Sequence, residues 1–483
     1  MLSQENTPVF DALKNYMNEN IISFHVPGHK HGKGIPEFTD FIGKNAMNID
    51  LTIMPDLDSI MNPTGVIKDA ETLAAEAFGA DRAFFLVNGT SSGIQAMIMA
   101  ACREGEKILI PRNAHKSAIS SIILSGAEPI YIRPEINEEF GIAMGITLNE
   151  ASGAIRKNPG AKALFIINTT YYGIASPLPE LVQLAHDNNM AVLVDEAHGA
   201  HLKFHESLPV SAMEAGADLA ASSTHKLAGS LTQSSMLFLK GERFSPGYIK
   251  SILNLSQTTS PSYILLASLD VARKNMAQKG HNLVSKAINL AQWARYKINA
   301  IEGLHCMGSE VLELNHGFGL DPTKLCINVK ELGITGFAAS KILRGKFHIQ
   351  VELSDFYNLL AVVSIGDNKS SVSALVNALS NIACDLKGKN KIKLPPIPDL
   401  PIPELALLPK EAFYSEKRPH PFKESYGRIS GEMIMAYPPG IPIICPGEII
   451  TRDIIDEVLL LKEAGSLIQG MEDRELNYIN VIK

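Results

Sequence analysis

An α/β fold with a mostly parallel sheet is predicted by two features of the chain. Between residues 80 and 240, apolar runs of strand length alternate with helix-length stretches whose apolar residues recur at three and four. The residues soon after several of those runs are glycines, small hydroxyls, histidine and carboxylate, which suits the ligand edge of a parallel sheet. The runs are Ala83–Val87, Lys107–Ile110, Pro129–Ile132, Ala163–Ile167, Ala191–Val194 and Ser235–Leu239, with helices expected between them at Gly93–Cys102 and Pro179–Asn188.

Residues 260 to about 300 read as long helix. A second mixed region follows to about residue 385, with strands at Lys324–Val329 and Ile349–Leu353 and helices at Phe337–Leu343 and Ser371–Leu386. Six prolines lie between Pro395 and Pro409. Their fixed φ and missing donors predict an extended connector. The expected organisation is an arm over 1–40, a large domain over 41–275, a smaller α/β domain over 276–390, a proline-rich linker over 391–410 and a C-terminal domain over 411–483.

Composition narrows the function. The 483 residues exceed one small binding module, since domains run to roughly 100–200 residues. With 46% hydrophobic and 20% charged residues the chain can bury a large core. A net charge of −7 disfavours a polyanion-binding surface, so nucleic acid is not expected as a partner. Five scattered cysteines without a CxxC pair disfavour a disulfide framework and a structural zinc, and fit a reducing cytoplasm. The start lacks a secretory pattern, and no apolar run approaches the roughly 18–20 residues of a membrane helix.

Three strand ends and the segment before a further strand carry chemistry. Asn88-Gly89-Thr90-Ser91-Ser92-Gly93 follows Ala83–Val87 and opens a helix. Backbone N–H groups there, with the helix dipole, favour a phosphate; the sequence is neither a P-loop nor a dinucleotide fingerprint. His115 follows Lys107–Ile110, and Asp195, trailed by His198, ends Ala191–Val194. Lys226 lies in Ser223-Thr224-His225-Lys226, before Ser235–Leu239. Singly these read as an N-cap turn, a structural histidine, a capping carboxylate and a surface lysine. Together they are the parts that hold pyridoxal 5′-phosphate: a cup for the phosphate, a flat ring to stack, an anion for the pyridine nitrogen and an amine for the aldehyde.

The ordered motifs FHVPGHK (24–30), NGTSSG (88–93), HKS (115–117), VDEAHG (194–199), STHK (223–226), TSPSY (259–263) and YPPGIPIICPGE (437–448) closely resemble the bacterial ornithine/lysine/arginine decarboxylases over essentially the whole chain. The resemblance implies the aspartate-aminotransferase type of fold and pyridoxal 5′-phosphate. It implies that Lys226 holds the cofactor aldehyde, that Asp195 partners the pyridine nitrogen and that His115 stacks on the ring. Gly89, Thr90, Ser91, Ser223 and His225 would hold the phosphate. Glu448 would meet the distal cation of the substrate, with Glu352 and Asp355 as alternative carboxylates or a solvated face. Lys226 and His198 are both candidates to protonate the α-carbon.

The chain departs from the long family members. FHVPGHK begins after 23 residues, where the long members carry an N-terminal wing that supports decamers, so a decamer is not expected. His198 stands where they place tryptophan. Similarity to the short members points to arginine, giving agmatine for polyamine synthesis; lysine to cadaverine and ornithine to putrescine come next. An aminotransferase or lyase would share the cofactor residues but not the HVPGHK and YPPGIPIICPGE motifs. A non-catalytic paralogue is disfavoured by the retained Lys226 and Asp195. His198, His201 and His205 are a weak metal pattern without HExxH, and no metal is expected. A homodimer is expected from the fold type, with Thr258–Tyr263 reaching the partner's site.

Overall fold

The computed structural model of the chain describes residues 2–312, 317–388, 401–437 and 440–483. It divides into two compact units, each built from two separate stretches: 1–100 with 192–285, and 101–191 with 286–483.

In the first unit, strands Arg82–Leu86, Ser235–Leu239, Leu219–Ser222 and Ala191–Asp195 are neighbours in that order. The first two pairings are antiparallel and the third is parallel. Ser235–Leu239 and Ala191–Asp195 are buried throughout, which is why they read as continuous apolar runs without alternation. Strand Leu219–Ser222 carried no signal, because Leu-Ala-Ala-Ser has no β-branched or aromatic residue. Its small side chains serve a close approach. A Cβ added to Gly93 would lie 3.1 Å from Ala221 Cβ and 2.9 Å from Leu86 Cδ1, so helix Gly89–Ala101 presses directly onto these strands. That helix begins at Gly89 rather than Gly93, so the Asn-Gly-Thr-Ser-Ser-Gly segment supplies its first turn. The 37-residue helix Tyr263–Asn299 continues from this unit into the next stretch of chain.

In the second unit, strands Ala163–Ile167, Lys107–Pro111 and Glu128–Ile132 run parallel. A separate four-stranded sheet orders His305–Cys306, Lys324–Asn328, Asn358–Val362 and Leu353–Ser354, every pairing antiparallel. Helices Gly336–Phe347 and Lys369–Leu386 cover it through Leu343, Leu379 and Ile382 against Leu325, Ile327 and Leu359.

The expected strand Ile349–Leu353 does not form. Helix Gly336–Phe347 runs on to a left-handed cap at His348, and only Leu353–Ser354 pairs. Its partner Asn358–Val362 returns through a turn that Asp355 ties, its Oδ1 accepting the N–H groups of Tyr357 and Asn358.

The C-terminal part pairs Lys417–Pro421 with Tyr478–Ile482 and places Ile434–Tyr437 between Ile441–Ile444 and Leu467–Gln469. Helix Arg452–Glu463 closes a core of Phe422, Ile434, Ile444, Ile454 and Val458. Residues 391–400 of the proline-rich stretch lie outside the described residues, as do Pro438 and Pro439 of YPPGIPIICPGE. The end of the stretch is described: Leu405 bridges Glu448, and helix Pro409–Tyr414 follows.

Candidate functional site

Strand Ala191–Asp195 ends in a buried carboxylate, and the next residues turn back beneath it. Asp195 Oδ1 accepts the N–H of Ala197 at 3.1 Å. Burial pushes the Asp195 carboxyl up, while that N–H and the charge of Lys226 pull it down. The turn delivers His198, itself buried, to Lys226, with Nε2 and Nζ 2.6 Å apart. Lys226 sits on the short helix Thr224–Leu227 directly after strand Leu219–Ser222. The two strands are parallel neighbours, and their ends place an anion, an imidazole and an amine together.

The hydroxyls gather on the same unit. Thr90 Oγ1 hydrogen-bonds to Ser223 Oγ and, at 2.7 Å, to Ser235 Oγ. Ser91 is exposed beside them, and a Cβ at Gly89 would meet nothing within 4 Å. The first-turn N–H groups of helix Gly89–Ala101 have no intrahelical acceptor, so hydroxyls, N–H groups and dipole suit an anion there. His225 Nδ1 lies 2.8 Å from the Ser234 carbonyl, which assigns it as the donor of that bond. Ser235 was missed by sequence reading, being merely the first residue of an apolar run.

His115 belongs to the second unit, where it caps helix Lys116–Ser125. Its Nδ1 accepts the Ser117 N–H at 3.2 Å and pairs with Ser117 Oγ at 2.8 Å, which fixes the ring's rotation. The C-terminal motif lies on this loop. The Lys116 N–H donates to the Gly440 carbonyl at 3.0 Å, and a Cβ on Gly440, whose φ is +82°, would come 3.3 Å from His115 Nε2.

Arg112 makes the second connection. Its guanidinium donates to the carbonyls of Pro442 (2.8 Å) and Ile443 (3.0 Å) and to Glu448 Oε2 (3.0 Å). Glu448 Oε2 also accepts the Cys445 N–H at 2.7 Å. Glu448 is fully buried, its Oε1 has no hydrogen-bond partner among the described residues, and burial pushes its carboxyl up against the pull of Arg112. The carboxylate expected to meet a substrate cation thus already holds a protein cation with one oxygen. Arg112 was missed, although it stands three residues before His115, because its partner lies 336 positions along the chain.

The alternative carboxylates separate. Asp355 accepts the Tyr172 hydroxyl at 2.6 Å besides its own turn N–H groups, so its lone pairs are used within the fold. Glu352 is exposed. Thr258, Thr259 and Ser260 are also exposed, whereas Tyr263 is buried, its hydroxyl donating to the Asp58 carbonyl at 2.6 Å. Among the described residues a group of cation-binding size is formed by His205, Glu206 and His281, not by His198, His201 and His205.

Comparison with known proteins bears on this geometry. The family model for the Orn/Lys/Arg decarboxylase major domain matches residues 7–371, and that for the Orn/Lys/Arg decarboxylase C-terminal domain matches residues 400–475. An arginine decarboxylase of Bacillus subtilis (strain 168) is 50% identical over 484 residues, covering 100% of this chain and 99% of that protein. The crystal structure of a Francisella novicida lysine decarboxylase superposes with a TM-score of 0.86 at 26% identity, covering 99% of this chain and 81% of that one. An alanine–glyoxylate aminotransferase from Nostoc sp. superposes with a TM-score of 0.53 at 16% identity over 67% of this chain and 88% of its own, a likeness of fold alone.

Proposed function

Because the chain belongs to the Orn/Lys/Arg decarboxylase family, we propose that it uses pyridoxal 5′-phosphate to convert L-arginine to agmatine and CO₂, a step of polyamine synthesis in the cytoplasm. The observation that carries the chemistry is the Asp195, His198 and Lys226 group at two parallel strand ends. The choice of arginine rests on the full-length similarity to the Bacillus relative.

The residues present fit the cofactor. A cup of hydroxyls and N–H groups at Gly89, Thr90, Ser91 and Ser223, with His225 beside it, matches a phosphate. A buried anion at Asp195 matches a protonated ring nitrogen, and Lys226 offers the amine for the aldehyde. When bound, the cofactor supplies an electron sink for the pair left by departing CO₂.

The protein's own groups do the rest. Asp195 holds the proton on the heterocyclic nitrogen, an electrostatic task that a buried carboxylate performs without reorganisation. His198 orients Lys226 and takes up or returns a proton at Nζ, so the pair delivers the proton that ends at the substrate's α-carbon. His115, its rotation set by Ser117, offers a flat face for stacking. Glu448 presents Oε1 to the distal guanidinium, and Oε2 remains with Arg112.

A homodimer is part of this reading. Phe24 (94% exposed), Phe41 (88%) and Ile22 (82%) leave large apolar side chains in water on the N-terminal stretch, as a surface covered by a second copy would. Light scattering on the purified protein tests it, and a monomer at micromolar concentration removes this part.

The deciding experiment offers arginine, lysine and ornithine in competition and identifies products by mass spectrometry. Agmatine in excess is expected. Cadaverine or putrescine in excess overturns the substrate assignment, and keto acids in place of CO₂ overturn the reaction.

A further inference from the structure

The second unit holds a cavity of about 1060 Å³ whose lining includes Arg112 but none of Lys226, Asp195, His198, His115 and Glu448. Ile136, Pro403 and Ile454 are among the apolar side chains that line it. Its charged lining is unbalanced: Glu135, Glu138, Glu150 and Glu457 stand against Arg112 and Arg133. Arg112 is neutralised already by Glu448, which leaves the cavity a net excess of carboxylate.

Among the described residues, three buried polar atoms of lining residues have no hydrogen-bond partner: Glu457 Oε2, Asn113 Oδ1 and Arg112 Nε. Two of them are acceptors. A buried acceptor without a donor costs free energy that a ligand's N–H group recovers. Apolar walls with carboxylates suit a chain of methylenes with charged ends, whose stem is dehydrated while its heads are paired.

We propose that this cavity binds an aliphatic diamine or polyamine, with one cationic end on Glu457 and the chain over the apolar lining toward Glu138. Burial pushes the Glu457 carboxyl up to about 7. A cation arriving there lowers it again, so binding near neutrality releases a proton.

The test is isothermal titration calorimetry of the holoenzyme with spermidine and, separately, with agmatine, at pH 7 in two buffers of different ionisation enthalpy. Saturable binding with proton release is expected for at least one of the two. Spermidine alone marks a polyamine site and agmatine alone marks a site for the reaction's own kind of product. Glu457→Gln should bind roughly tenfold more weakly, about 1.4 kcal/mol, and lose the proton release. Glu138→Gln, at an exposed position, should weaken binding with no change in melting temperature and guards against misfolding of the first variant. No heat with either amine, or wild-type affinity in both variants, overturns the assignment; the latter result would put the amine elsewhere, as at the catalytic lysine. Binding is read without turnover, so its failure leaves the decarboxylase reading untouched.

Discussion

His198 Nε2 and Lys226 Nζ lie 2.6 Å apart at the ends of two neighbouring parallel strands. A lysine amine at that distance from an imidazole can pass a proton without moving its backbone, which a group that must act first as a nucleophile and then as an acid requires.

Lys226→Ala should abolish the visible absorbance of the cofactor imine and lower turnover by at least about 10³-fold while leaving the melting curve intact. Absorption spectra and steady-state kinetics check it. Decarboxylation at the wild-type rate would defeat the assignment.

Asp195→Asn should keep the cofactor bound yet lower the single-turnover rate by about 10²–10³-fold, because a neutral amide cannot hold a proton on the ring nitrogen. Rates equal to wild type, with cofactor content confirmed, would remove Asp195 from the chemistry.

For His198→Gln the expected outcome is a kcat lowered by roughly 10–10²-fold together with the loss of one limb of the pH–rate profile. A side chain that only packs would lower activity, if at all, without changing the profile's shape.

Arg112→Ala strands the buried Glu448 carboxylate and should cost about 3–5 kcal/mol of stability. Adding Glu448→Gln should recover part of that loss. Urea unfolding of the single and double variants measures the coupling; strictly additive effects would mean that the pair does not hold the His115 loop to the C-terminal motif.

Glu71 gives a pH test of the first unit. It is buried, its Oε1 accepts the Phe85 N–H, and burial raises its carboxyl from 4.5 to about 7, with the Lys250 charge opposing. A raised acid binds its proton more tightly folded than unfolded, so its contribution is present below pH 4.5 and is lost as pH rises to about 7. At about 1.4 kcal/mol per unit this amounts to roughly 3 kcal/mol. Glu71→Gln should flatten the stability profile between those limits, and an unchanged slope in urea titrations would refute it.

Much of this was legible locally. Six of the seven strands in the two units' parallel and mixed pairings were readable as short apolar runs, most clearly Ala191–Asp195 and Ser235–Leu239, which are buried throughout, and a strand's carboxyl end announces its candidate residue by the abrupt change to Gly, His or Asp. Leu219–Ser222 escaped because small residues carry no strand preference, although those residues let Gly93 seat its helix. Ile349–Leu353 misled because an apolar run looks the same whether it pairs or merely follows a helix.

The order of motifs alone identified the family, and with it the residues proposed for the cofactor, since each motif is contiguous and can be recognised without knowing its distant partners. Tertiary structure decided that His198 meets Lys226, that Ser235 joins the cup and that Glu448 is paired with Arg112. It also used up Asp355 in a turn and left a cavity lined by four glutamates and by residues of strand Ile441–Ile444. Those outcomes join residues far apart in the chain, and which partner a buried charge takes is set by three-dimensional proximity and desolvation, neither of which has a signature in local sequence.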